Sequence, residues 1–69
     1  MIMNNFGMIT EAEWIGLTLN DAQKRADIQG FTYRIVEQNG TSLMVDANYK
    51  SNRLNFRINN NLVIGLYTG

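Results

Sequence analysis

The heptapeptide RLNFRIN, residues 53–59, puts Leu54, Phe56 and Ile58 on one side of an extended chain and Asn55, Arg57 and Asn59 on the other. Side chains of a strand alternate between its faces, so this spacing describes a strand with one apolar and one wet face. The apolar face has to be covered, and one stretch of the chain can do so with a helix. Leu19, Ala22 and Ala26 recur at i, i+3 and i+7, a narrow stripe on a helix predicted from Leu19 to Gln29. Asn20, Gln23, Lys24 and Asp27 fall off the stripe and are expected in water. Thr18 opens this helix, with Asp21 in the place of the capping-box acid. Gly30 stands where a left-handed C-cap belongs. A stripe of small residues suits close packing on a sheet.

The rest of that sheet is read from turn chemistry. FTYRIVEQ, residues 31–38, sets Phe31, Tyr33 and Ile35 against Thr32, Arg34 and Val36. Asn39-Gly40 is a two-residue hairpin signal, so TSLMVDA is expected to pair back on the preceding strand as far as Val45. NYKSN is polar and unpatterned, Asn59 to Asn61 is a turn, and LVIGLYTG is a last strand. Near the start, Thr10-Glu11-Ala12-Glu13 has the spacing of a capping box. It predicts a single turn ending near Gly16, from which Trp14 and Ile15 would plug the core. Residues 1–9 carry no periodicity and are expected to be a flexible arm, with residues 10–69 forming one domain. The predicted fold class is α+β: a single helix on a small twisted mixed or antiparallel sheet of three to four strands, with an exposed loop.

Composition removes whole classes of function. The chain has 69 residues and neither cysteine nor histidine. Disulfides, thiolate metal sites, most zinc sites and the familiar Ser-His and Cys-His nucleophiles are therefore absent. An enzyme would have to work with Asp, Glu, Lys, Tyr or Ser, and no constellation of these stands out. No catalytic residue, metal site or cofactor is expected. Six basic and six acidic residues cancel, and the basic ones are scattered, which argues against a nucleic-acid partner. No apolar run approaches the length of a membrane span. MIMNNFGMIT lacks a basic leader and a small-residue cleavage site, so the expected setting is cytoplasmic, with secretion left open. Asn39-Gly40-Thr41 matches a glycosylation sequon and is discounted for the same reason.

Several segments together resemble a known family. WIGLTLNDAQKRA is similar to the opening of the potato inhibitor I family, a Trp and Gly followed by a Ser/Thr-capped, Ala-rich helix. NYKSNRLNF resembles its bacterial small peptidase-inhibitor branch, which reads roughly Asp-Tyr-Arg-x-x-Arg-Leu/Ile-Asn-Val. RIVEQNG resembles the hairpin that precedes it, and the Gly at position 69 matches as well. The resemblance spans Trp14 to Gly69. It implies a helix on a small twisted sheet with an exposed loop between two strands, offered to a serine protease as a substrate mimic. Carried over by position, the loop is Met44 to Ser51, with Val45, Asp46, Ala47, Asn48 and Tyr49 at its centre. Ala47 falls at the primary specificity position, and Asn48 follows the bond that would be attacked. A small residue there implies a subtilisin- or elastase-like partner. Arg53 and Asn55 fall where loop-supporting residues sit.

This sequence departs from the family at three of those positions. Asp46 replaces a Thr, Asn48 replaces an acid, and Asn55 replaces a second loop-facing Arg, although that Asn is common in the bacterial branch. Arg53 is then expected to brace the loop through Asp46 by a charge-assisted hydrogen bond. A blander reading makes Arg53 a solvated strand-end cation and Ala47 merely a small loop residue. Trp14 is read as core, Met44 as a loop contact or as core or edge packing, and Tyr33 and Tyr67 as sheet residues with wet hydroxyls. The functional alternative is a non-inhibitory interaction module. It would bind a protein partner, such as a host factor if this is a viral or mobile-element protein, or another copy of itself, through an edge strand.

Overall fold

The computed structural model describes residues 10–69; the expected arm, residues 1–9, lies outside the described residues. A 3-10 turn, Glu11–Glu13, precedes the helix α1, Leu19–Gln29. Four strands follow: β1, Thr32–Gln38; β2, Thr41–Ser42; β3, Arg53–Asn59; and β4, Leu62–Thr68. Their order across the sheet is β2-β1-β3-β4. β1 and β3 run parallel, while β2 and β4 lie antiparallel to their neighbours. One helix on a four-stranded mixed sheet is the two-layer α+β arrangement that the strand alternation called for.

Both helix ends are set by local chemistry. The Thr18 hydroxyl accepts the Asp21 N–H at 3.1 Å. Gly30, at φ 83°, turns the chain out of the helix, and the Phe31 N–H returns to the Ala26 carbonyl at 2.9 Å. Ala22 and Ala26 are buried against the sheet. The core beneath them is Trp14, Phe31, Leu54, Phe56, Ile58, Val63 and Leu66, with Tyr33 and Ile35 packed at its margin. Phe56 lies between the rings of Trp14 and Tyr33, each 6.1 Å away, centroid to centroid. Arg25 covers the outer face of Trp14 with its guanidinium 5.5 Å from the ring centroid.

The two tight turns share one backbone solution. Asn39 and Gly40 (φ 51° and 82°) and Asn60 and Asn61 (φ 51° and 66°) all take the left-handed conformation that a twisted hairpin demands. The turns are joined: the Asn39 N–H donates to the Ile58 carbonyl at 2.8 Å, and Asn39 Oδ1 accepts the Asn60 N–H at 2.9 Å.

Three expectations are corrected. TSLMVDA does not pair back as far as Val45: β2 ends at Ser42, with one further bond from the Leu43 N–H to the Val36 carbonyl at 2.9 Å. The reason is topological: β2 and β3 flank β1 on opposite sides, so the chain has to leave the sheet and cross over β1 between them. Ser42 lies opposite Glu37, whereas Arg53 starts β3 opposite Thr32, so the chain must return about 17 Å along β1 before a parallel strand can begin. Residues 43–52 make that return, and with a reach of roughly 33 Å they have slack to stand out from the sheet. Thr10 makes no side-chain cap bond, so there is no capping box at the 3-10 turn. Glu11 instead crosses to β4. Ile15 is 44% exposed, which leaves Trp14 alone to plug the core from this turn.

Residues 16–19 lie along the first half of β4. The Gly16 N–H donates to the Val63 carbonyl at 2.9 Å, the Val63 N–H to the Leu17 carbonyl at 2.8 Å, and the Leu19 N–H to the Asn61 carbonyl at 3.0 Å. No helix among the described residues is long and apolar enough to cross a membrane.

Candidate functional site

Every residue from Leu43 to Asn52 is exposed, and none has positive φ. Met44 is fully exposed, at 101%, so it takes no part in core or edge packing. Apolar side chains held in water on a stretch without Gly or Pro need a hold from elsewhere. That hold comes from polar side chains of β1 and β3.

Asp46 is the loop's own anchor. Its Oδ1 accepts the Asn48 N–H at 3.2 Å, closing an Asx-type turn around Ala47. The same oxygen accepts from Arg34 Nη1 at 3.2 Å and lies 3.9 Å from Arg53 Nη2. The hydrogen bond from the Asn48 backbone, then the hydrogen bond and charge of Arg34 and the charge of Arg53, hold the Asp46 carboxyl below its ordinary value. The expected Asp46–Arg53 pair is therefore the looser contact, and the shorter one goes to Arg34.

Arg53 holds the loop by another group. It is 8% exposed and donates from Nη2 to the Asn48 carbonyl at 2.5 Å and from Nε to the Gly69 main-chain oxygen at 2.8 Å. Asn55, wholly buried, is the hub between the strands. Its Nδ2 donates to the Tyr67 and Gly69 main-chain oxygens, each at 3.2 Å, and its Oδ1 accepts from Arg34 Nε at 2.5 Å. None of the described buried side-chain polar atoms lacks a partner. Buried arginine and asparagine on the sheet's polar side are tolerated because Arg53 Nε and Nη2 and both amide atoms of Asn55 meet partners.

Of the residues singled out in the sequence, Asp46, Asn48, Arg53 and Asn55 fall into one hydrogen-bonded network. Asn55 reaches the loop indirectly, through Arg34 and through the Gly69 oxygen it shares with Arg53. Ala47 lies exposed between two tethered neighbours. Val45 and Tyr49 are exposed; Tyr49 packs beside Gly69, where an added methyl group would stand 3.7 Å from its Cδ1. Arg34 was missed. Its signal was its place on the polar side of FTYRIVEQ, and that becomes informative only once β1 is parallel to β3 and Arg34 lies in register with Asn55.

Among the described residues no cluster of three or more carboxylates could hold a metal ion. The arrangement has no nucleophile paired with a base. It can present a short stretch of main chain in a held shape. No family model matches the sequence, and neither a curated protein nor a solved structure matches it.

Proposed function

We infer that the chain is a serine protease inhibitor-like protein that offers Met44–Ser51 as a substrate mimic, with Ala47–Asn48 the bond presented. One observation carries this reading. The residues on both sides of Ala47 are tied to the sheet, Asp46 by its carboxylate and Asn48 by its carbonyl, while Ala47 itself stays exposed. A loop already held in shape loses little conformational entropy on docking. If its bond is cut, the same tethers keep the new ends together so that they can rejoin.

The resemblance to the potato inhibitor I family points to the same reading: it implies loop support from Arg53 and Asn55, and Arg53 donates to the Asn48 carbonyl of the loop. Ala47 suits a shallow primary pocket, which favours an elastase- or subtilisin-like partner. A standard interface takes about 800 Å² from each side, an area a body of this size can supply. The absence of cysteine fits a cytoplasmic setting. The alternative of strand addition has less to work with, because residues 16–19 already occupy the first half of the β4 edge and β2 offers only Thr41 and Ser42.

The test is incubation with elastase, subtilisin, chymotrypsin and trypsin, following residual activity and the mass of the chain. Inhibition with slow, single cleavage after Ala47 is expected of elastase or subtilisin. Rapid degradation by all four, or undiminished protease activity at equimolar protein, would sink the reading.

A further inference from the structure

Arg34 and Asn55 occupy registered positions on the parallel strands β1 and β3. Their side chains are joined by the short Nε–Oδ1 hydrogen bond. The direction of the Asn55 amide is determined by its surroundings: two main-chain oxygens, of Tyr67 and Gly69, require the NH₂ group, so the carbonyl oxygen must face the guanidinium. That oxygen takes Nε and leaves Nη1 of Arg34 free to point at Asp46. Arg53 is the less well placed of the two cations, because its Nε and Nη2 already donate to Gly69 and Asn48 and its approach to Asp46 is the longer one.

We propose that Arg34 is the positioning residue of the loop. It acts through Asp46 to set the conformation before Ala47, with Asn55 aiming its guanidinium, while Arg53 independently sets the conformation after Ala47. Each flank of the presented bond thus has its own cation, delivered from a different strand. Losing the Arg34 side of this clamp frees Asp46 and the Asx turn it closes, without removing any core residue. A loop released on one flank is a better substrate and a worse inhibitor. The effect on proteases rests on the inhibitor reading above; the effect on the loop rests on geometry alone.

The full chain is compared with Arg34→Met, Arg34→Lys and Asp46→Asn. Two readouts need no protease: amide exchange of Asn48 and the carboxyl titration of Asp46, both by NMR. A third is the rate of hydrolysis at Ala47–Asn48 by elastase or subtilisin. In Arg34→Met, Asn48 exchange and hydrolysis should each rise roughly threefold to tenfold, as expected for one charge-assisted bond near solvent. The Asp46 titration should move up toward its ordinary range. Arg34→Lys keeps the charge but loses the bond from Nε to Asn55, so it should recover part of the effect. Asp46→Asn lies on the loop and leaves the sheet intact, so it should reproduce faster exchange even if a β1 variant folds poorly. Unchanged Asn48 exchange and unchanged Asp46 titration in Arg34→Met would overturn the proposal. Faster exchange in variants of a chain that inhibits no protease would uphold the positioning role and remove the inhibitor reading instead.

Discussion

The carboxylate of Glu11 accepts the main-chain N–H of Leu66 at 3.1 Å, across 55 positions of sequence. Leu66 belongs to the outer strand β4, and this N–H is a ladder donor that another strand could take. Glu11 fills it with a side chain that cannot propagate a sheet, one of the ways proteins keep edge strands from pairing. Glu11→Ala should cost about 1–2 kcal/mol by leaving a part-buried donor unmet. It should also raise the concentration-dependent association of the chain. Thermal denaturation and sedimentation velocity, run together, check both effects; a monomer of unchanged stability would refute the role.

Phe56 is the centre of the core, fully buried between Trp14 and Tyr33. Phe56→Ala should cost about 3–5 kcal/mol. A domain of this size has little to spare, so the variant should be largely unfolded at room temperature. Urea titration followed by Trp14 fluorescence reads this directly.

The hold on the loop should depend on pH. The Asp46 carboxyl sits below its ordinary value because its charged form accepts the Asn48 N–H and faces Arg34 and Arg53. A group whose folded value is depressed gives its contribution above the unfolded value and loses it as pH falls through the folded one. The Asn48 amide resonance should therefore stay constant from neutral pH down to the ordinary carboxylate range. It should then shift below that range as Asp46 takes up a proton. Asp46→Asn should abolish the shift and leave the melting temperature nearly unchanged, because Asp46 is solvent-exposed.

Two glycines should respond differently to the same added methyl group. Gly40 has open space around its Cβ position but a φ of 82°, so Gly40→Ala should cost about 1–2 kcal/mol from backbone strain alone. Gly65 has ordinary backbone angles, but an added Cβ would stand 2.9 Å from Arg57 Nη1. Only the end of a flexible side chain has to move, at the expense of the exposed Arg57–Glu37 pair, so Gly65→Ala should stay within about 1 kcal/mol of wild type. Paired denaturation curves separate the two cases.

The helix and the turns were legible because their signals are local. Thr18 and Gly30 bound α1, and Asn39-Gly40 and Asn60-Asn61 carry the positive φ their turns need. The strand alternation of Leu54, Phe56 and Ile58 named the core face correctly. What stayed hidden depends on strand order. Leu43, Met44 and Val45 look like strand residues, yet a chain that must cross to the other side of β1 leaves the sheet after the single Leu43 bond to Val36. Arg34 looked like one more surface cation until its register partner was known. Glu11 looked like one more residue of a turn capped by Thr10 and Glu13, and turned out to serve an edge far along the chain.

The parallel pairing of β1 with β3 sets a minimum length for the segment 43–52, and says almost nothing about which side chains it carries. Asp46 is the one loop side chain bonded to the sheet, while Asn48 is gripped by its main chain. Met44, Val45, Ala47 and Lys50 are left as lettering on a frame that does not read them. A lineage, or a designer, could rewrite that lettering to address a different partner while the frame went on folding as before.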